Sequence, residues 1–101
     1  MLAKASGQIT GNSTNQQTTL YTTTKKYREI YLITNSLRTA SWEYVPLSTH
    51  ASGGTEIMKV LCDDDDGKSW LHVTKYTNVK TGTAIKALLY YRYSYIILGV
   101  S

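Results

Sequence analysis

The chain has 101 residues, 42% of them apolar, which suits a single domain with one small core. Nine Tyr, two Trp and no Phe, with frequent Thr and one Pro, favour strands over helices and point to an all-β fold. Cys62 is alone, which excludes a disulfide-stapled mini-domain; the net charge of +4 comes from cations scattered along the sequence, so no nucleic-acid-binding stripe is expected.

The opening residues, Met1-Leu2-Ala3-Lys4-Ala5-Ser6-Gly7, lack the long apolar core of a secretory leader. No apolar stretch reaches the length of a membrane helix, and membrane insertion is not expected. Residues 7–19 are polar, uncharged and rich in Gly, Asn, Gln and Thr. Such a segment buries little apolar surface, so 1–19 reads as a polar linker or an N-terminal arm, with the β-domain over 20–101.

Residues 26–34 give the clearest strand. Arg28, Ile30 and Leu32 alternate with Tyr27, Glu29, Tyr31 and Ile33. Asn35-Ser36 reads as a turn. A second strand over 38–45 places Ala40, Trp42 and Tyr44 on one side and ends at Pro46, which cannot donate to a ladder. Residues 48–55 contain Gly53-Gly54 and read as a loop, 56–62 as a third strand, and 63–67 as a turn. Residues 68–76 alternate again, with Trp70, His72, Thr74 and Tyr76 opposite Leu71, Val73 and Lys75. After a turn at 78–82 come closing strands at 83–91 and 93–98, which could also be one long bent strand. The helical alternative for 81–92 rests on Ala84, Leu88 and Tyr91 at helix spacing. Short strands with regular turn signals predict a small antiparallel sandwich, jelly-roll-like in character.

The closing run carries apolar or aromatic residues on both faces, through Tyr90, Tyr91, Tyr93, Tyr95, Ile96, Ile97 and Leu98. One small core covers one face of most strands, so the second face calls for a partner. The outer group Tyr27, Tyr31 and Ile33, with Tyr93 and Tyr95, is therefore the expected subunit interface. Tyr suits such a surface because each ring has a polar tip.

Chemistry-bearing motifs are sparse. Asp63-Asp64-Asp65-Asp66-Gly67 offers carboxylates to a cation, but the EF-hand spacing fails: Lys68 and Thr74 stand where a Gly and a Glu are needed. A solvated hairpin turn is the favoured reading, and a weak cation site the alternative. His50 and His72 without matching Cys do not make a structural zinc site. Ser48 lies near His50, but no Gly-x-Ser-x-Gly elbow accompanies it. No catalytic residue, metal site or cofactor is assigned. Trp42, Tyr44, Trp70 and His72 are the candidate ligand contacts, because ring faces pack on the apolar faces of sugars; the competing reading makes both Trp core anchors.

Residues Leu20-Tyr21-Thr22-Thr23-Thr24-Lys25-Lys26-Tyr27-Arg28-Glu29-Ile30-Tyr31-Leu32-Ile33, the stop at Pro46 and the closing Tyr91-Arg92-Tyr93-Ser94-Tyr95-Ile96-Ile97-Leu98-Gly99 resemble C-terminal domains of bacteriophage fibre and tail proteins. The resemblance spans roughly 20–99 and rests on pattern. It implies a compact, commonly trimeric β-sandwich assembled in a bacterial host cytoplasm and carried on the virion. Its role there is structural and in attachment to a host receptor or glycan, without enzymatic activity. The alternative from the residues is a monomeric carbohydrate-binding module of a secreted enzyme.

Overall fold

The computed structural model describes residues 2–10, 17–36, 50–51, 53–65, 67–88 and 92–101. All regular structure among them is β. The strands are β1 (Leu2–Thr10), β2 (Gln17–Thr22), β3 (Tyr27–Ser36), β4 (His50–Ala51), β5 (Thr55–Asp64), β6 (Gly67–Val79), β7 (Ala84–Leu88) and β8 (Arg92–Val100). They form an antiparallel sheet of five, in the order β1-β8-β3-β6-β5, and a second of three, β2-β7-β4.

The pairs β1·β8, β2·β7 and β3·β6 nest one inside another. Alternate pairs fall in opposite sheets, which is how a long double-stranded ribbon rolls up into a jelly roll. The innermost pair departs from that plan. β4 pairs with β7, whereas β5 folds back as a hairpin on β6 and lengthens the larger sheet.

The core lies between the sheets. Ile30 and Leu32 of β3, Tyr76 and Val79 of β6 and Ile97 of β8 meet Leu20 of β2 and Ile85 and Ala87 of β7. Alternation within β3 and β6 selects these residues except Val79, which falls out of phase beyond Asn78 (φ 52°): the intervening Tyr31, Ile33, Val73 and Lys75 are only half-buried. Thr34, His72 and Thr74 also point inward and are buried.

Several expectations change. Segment 2–10, read as part of an arm, is the edge strand of the larger sheet, and β2 begins at Gln17, before Leu20. β1 has little apolar content, yet its backbone pairs with β8 across eight register positions. The closing run is two strands, as expected, and they lie in different sheets, so the single bent strand gives way, as does the helical alternative at Ala84–Leu88. The turn at 78–82 starts later, since β6 runs to Val79 with Asn78 at φ 52°. β5 and β6 form a hairpin with Asp63 opposite Lys68 and Asp64 opposite Gly67 (φ 121°), so Asp63, Asp64 and Asp65 lie at its end. The strand expected over 38–45, with Trp42 and Tyr44, lies outside the described residues.

Candidate functional site

Of the four ligand contacts expected from sequence, Trp70 and His72 are brought together on the inward side of β6. Their ring centroids are 6.3 Å apart at 41°. His72 is 1% exposed, and its Nδ1 lies 3.1 Å from Oε2 of Glu56 on the neighbouring strand. This burial corrects the expectation for His72: it is a core residue held by Glu56 and presents no surface to a saccharide. Trp70 is half-buried, with the Lys59 ammonium 5.2 Å from its ring centroid. Trp42 and Tyr44 lie outside the described residues.

The expected interface group divides. Tyr31 and Ile33 do lie on the outer face of the five-stranded sheet. Tyr27 does not: it is 3% exposed and belongs to the core. Tyr95 packs against the core from the inner side of β8, over Gly7. Tyr93 pairs through its backbone with Ser36 and Ile9, and its side chain is outside the described set. Ile96 and Leu98 take the outward positions of β8 instead, because inward burial of Ile97 fixes the alternation.

Register then builds an apolar row across four strands. Met58 pairs with Val73, Val73 with Ile33, and Ile33 with Ile96. Val60 beside Leu71 and Tyr31 beside Leu98 widen it. Met58 is 46% exposed and Ile96 40%. A bulge between Glu56 and Met58 puts Met58 and Val60 on this face while Glu56 still reaches His72. One margin is polar: the Lys75 ammonium is 2.7 Å from Oε2 of Glu29, and the Tyr31 hydroxyl donates to the same oxygen at 3.1 Å. These two contacts hold the Glu29 carboxyl below its usual range, Lys75 contributing more.

Charge is segregated along the molecule. At the β5–β6 hairpin lie Asp63, Asp64 and Asp65, with Lys68 2.6 Å from Asp63. At the other end of β6, about 40 Å away for thirteen residues, stands a cluster of cations. Lys4 and Lys25 flank the Tyr27 ring at 5.6 and 5.4 Å from its centroid. Lys26, Arg28 and Lys80 line an open cleft of about 650 Å³ together with Tyr27, Asn78, Val79, Thr81 and Ser101. Scattered cations in the sequence thus become one basic tip, because the β2–β3 and β6–β7 connections close the same end of the sandwich.

A hydrogen-bonded turn fixes that tip. Thr23, buried at 2% exposed, donates its hydroxyl to the Lys80 carbonyl at 2.7 Å and accepts from the Thr83 amide at 2.9 Å. The Gly82 amide donates to the Thr23 carbonyl at 2.9 Å, and the Thr23 amide to the Thr83 carbonyl at 3.0 Å. Gly82 supplies the positive φ, +81°, that this tight turn requires.

Among the described residues, no group of three or more His, Cys, Asp or Glu side chains is placed to hold a metal ion. Comparison with known proteins finds no matching family model, no matching curated protein and no matching solved structure.

Proposed function

We propose that this chain is a non-enzymatic domain of a phage fibre or tail, which assembles with copies of itself and helps attach the particle to a host surface. The observation that carries this reading is the apolar row Met58–Val73–Ile33–Ile96. A row of branched and long apolar side chains across a sheet face, exposed at both ends, is what a subunit interface buries. The polar Glu29–Lys75–Tyr31 margin matches the rim of such an interface. The nested strand order adds an argument by analogy, since jelly rolls serve viral capsid and lectin domains. Three copies is the state implied by the resemblance to fibre domains, and assembly would make stability outside a cell depend on the oligomer.

Light scattering over a range of concentrations tests the reading. The expected result is a constant mass near three times the 11.3 kDa chain. A mass of one chain at micromolar concentration would overturn it and favour a monomeric carbohydrate-binding module, with Trp70 as the residue to substitute first.

A further inference from the structure

We infer that the cleft at the basic tip binds a small ligand bearing oxyanions, a sugar carrying phosphate or carboxylate groups. Three cations, Lys26, Arg28 and Lys80, converge on one opening, and no acidic side chain lines it. None of the three makes an ion pair among the described residues. The nearest acid in sequence, Glu29, is taken by Lys75 at 2.7 Å. Glu56 of β5, opposite Thr74, lies 3.1 Å from His72, while Asp63, Asp64 and Asp65 sit at the far end of the long strand, well beyond the screening length of about 8–10 Å. Cationic side chains therefore stay in excess at the tip, and an anion is what complements them.

The shape of the cleft narrows the class. Its volume falls in the range of small-molecule sites, about 300–1,000 Å³. Its floor is the Tyr27–Val79 pair, and the exposed Asn78 amide and Thr81 hydroxyl offer groups for sugar hydroxyls. The wall is preorganised: the buried Thr23 holds the turn that carries Lys80 and Thr81, so little backbone ordering is left to binding. Nucleic acid fits less well. Single strands bind by stacking bases on exposed rings along a basic track, whereas the Tyr27 ring is buried and the cations form one compact cluster.

This inference rests on the attachment reading only in taking the ligand to be carried on a surface glycan. Light scattering tests assembly and the following titration tests the cleft, so either can fail alone. Amide NMR spectra of the full chain are recorded with mannose 6-phosphate, glucuronic acid and mannose. The expected result is saturable movement of the Tyr27, Arg28, Asn78 and Lys80 amides with at least one acidic sugar, and none with mannose. Whichever acid acts identifies the oxyanion. Affinity in the millimolar range that weakens with added salt fits exposed cations. The double variant Lys26→Gln/Lys80→Gln should bind at least about tenfold more weakly. Both residues are exposed, so its remaining spectrum should be unchanged. The inference is overturned if neither acid moves these amides, if the double variant and Arg28→Gln both bind like the parent, or if a thymidine decanucleotide binds the tip more tightly than either sugar.

Discussion

Gly99 leaves the space that the Tyr27 ring occupies. A Cβ at Gly99 would stand 2.7 Å from Cε1 and 2.9 Å from Cδ1 of that ring. The ring has little room to yield, because it is 3% exposed and Lys4 and Lys25 lie over it. Gly99 is thus demanded by packing between β8 and the start of β3, not by backbone conformation. Gly99→Ala should lower stability by about 1–3 kcal/mol, the usual cost of overpacking. The check is urea denaturation, read as a lower midpoint at unchanged slope. Combining it with Tyr27→Leu should recover part of the loss, since the clash is pairwise; strict additivity would mean that the ring is not the obstacle.

Tyr76 gives the fold an alkaline limit. Burial pushes its phenol up to about 12, and its hydroxyl finds no partner among the described residues. In the unfolded chain the same group ionises near 10. Between those values the unfolded state binds fewer protons than the folded one, so stability falls as pH rises. The contribution is fully present below pH 10 and is lost towards pH 12, by roughly 2–3 kcal/mol. Tyr76→Phe should remove this slope while leaving neutral-pH stability equal or higher, because it deletes a buried hydroxyl. Tyr27 is also shifted upward, first through its hydrogen bond with Tyr21. The variant therefore keeps a residual slope, and the difference between parent and variant over pH 9–12 is the quantity to measure. Parallel curves would exclude Tyr76 as its source.

How far the sequence carries the structure depends on the length scale of each signal. Alternation over Ile30, Leu32 and Thr34 is local, so β3 and its buried face are legible in it. β6 is legible for the same reason through His72, Thr74 and Tyr76. Tyr27 breaks the pattern because its burial comes from Gly99, seventy-two positions away, and from lysines brought in by β1 and the β2–β3 connection. β1 is hidden for a related reason. Its polar residues give no periodic signal, and backbone pairing with β8 is what makes it a strand. Ile33 and Tyr31 fall on the outer face as their alternation predicts, whereas Tyr95 lies on the inner side of β8 and Ile96 on the outer, because a shift of one residue in register exchanges the faces of β8. The basic tip was out of reach, since adjacency of Lys26, Arg28 and Lys80 exists only once both connections close one end of the sandwich.

Thr23 ties that end together. Replacing it with Val keeps the shape but removes the bond to the Lys80 carbonyl and the acceptor of the Thr83 amide. The Thr83 amide would keep only its longer contact to Lys80, at 3.3 Å. The Lys80 carbonyl would still accept the Thr83 hydroxyl at 2.7 Å, so Thr23→Val is expected to cost about 0.5–1.5 kcal/mol for each of the two bonds lost, read in urea denaturation. Faster amide hydrogen exchange at Gly82 and Thr83 should accompany it. Unaltered exchange there would place the stability of the turn in Gly82 alone.

Ile96 tests whether the open sheet face is covered by another copy. It sits beside Ile33 in register, with Ser6 on the edge strand beyond. At 40% exposed it contributes little to the core, so Ile96→Lys should shift the stability of an isolated chain by no more than about 0.5 kcal/mol. In an interface the same ammonium would be buried without a partner, which is costly enough to dissociate the assembly. Light scattering should therefore report one chain for Ile96→Lys where the parent gives a multiple. Met58→Lys probes the opposite end of the row, four strands across. Dissociation by both variants would define a contact spanning the whole face. Dissociation by one alone would confine it to that edge, and an unchanged mass in both would remove this face from the assembly.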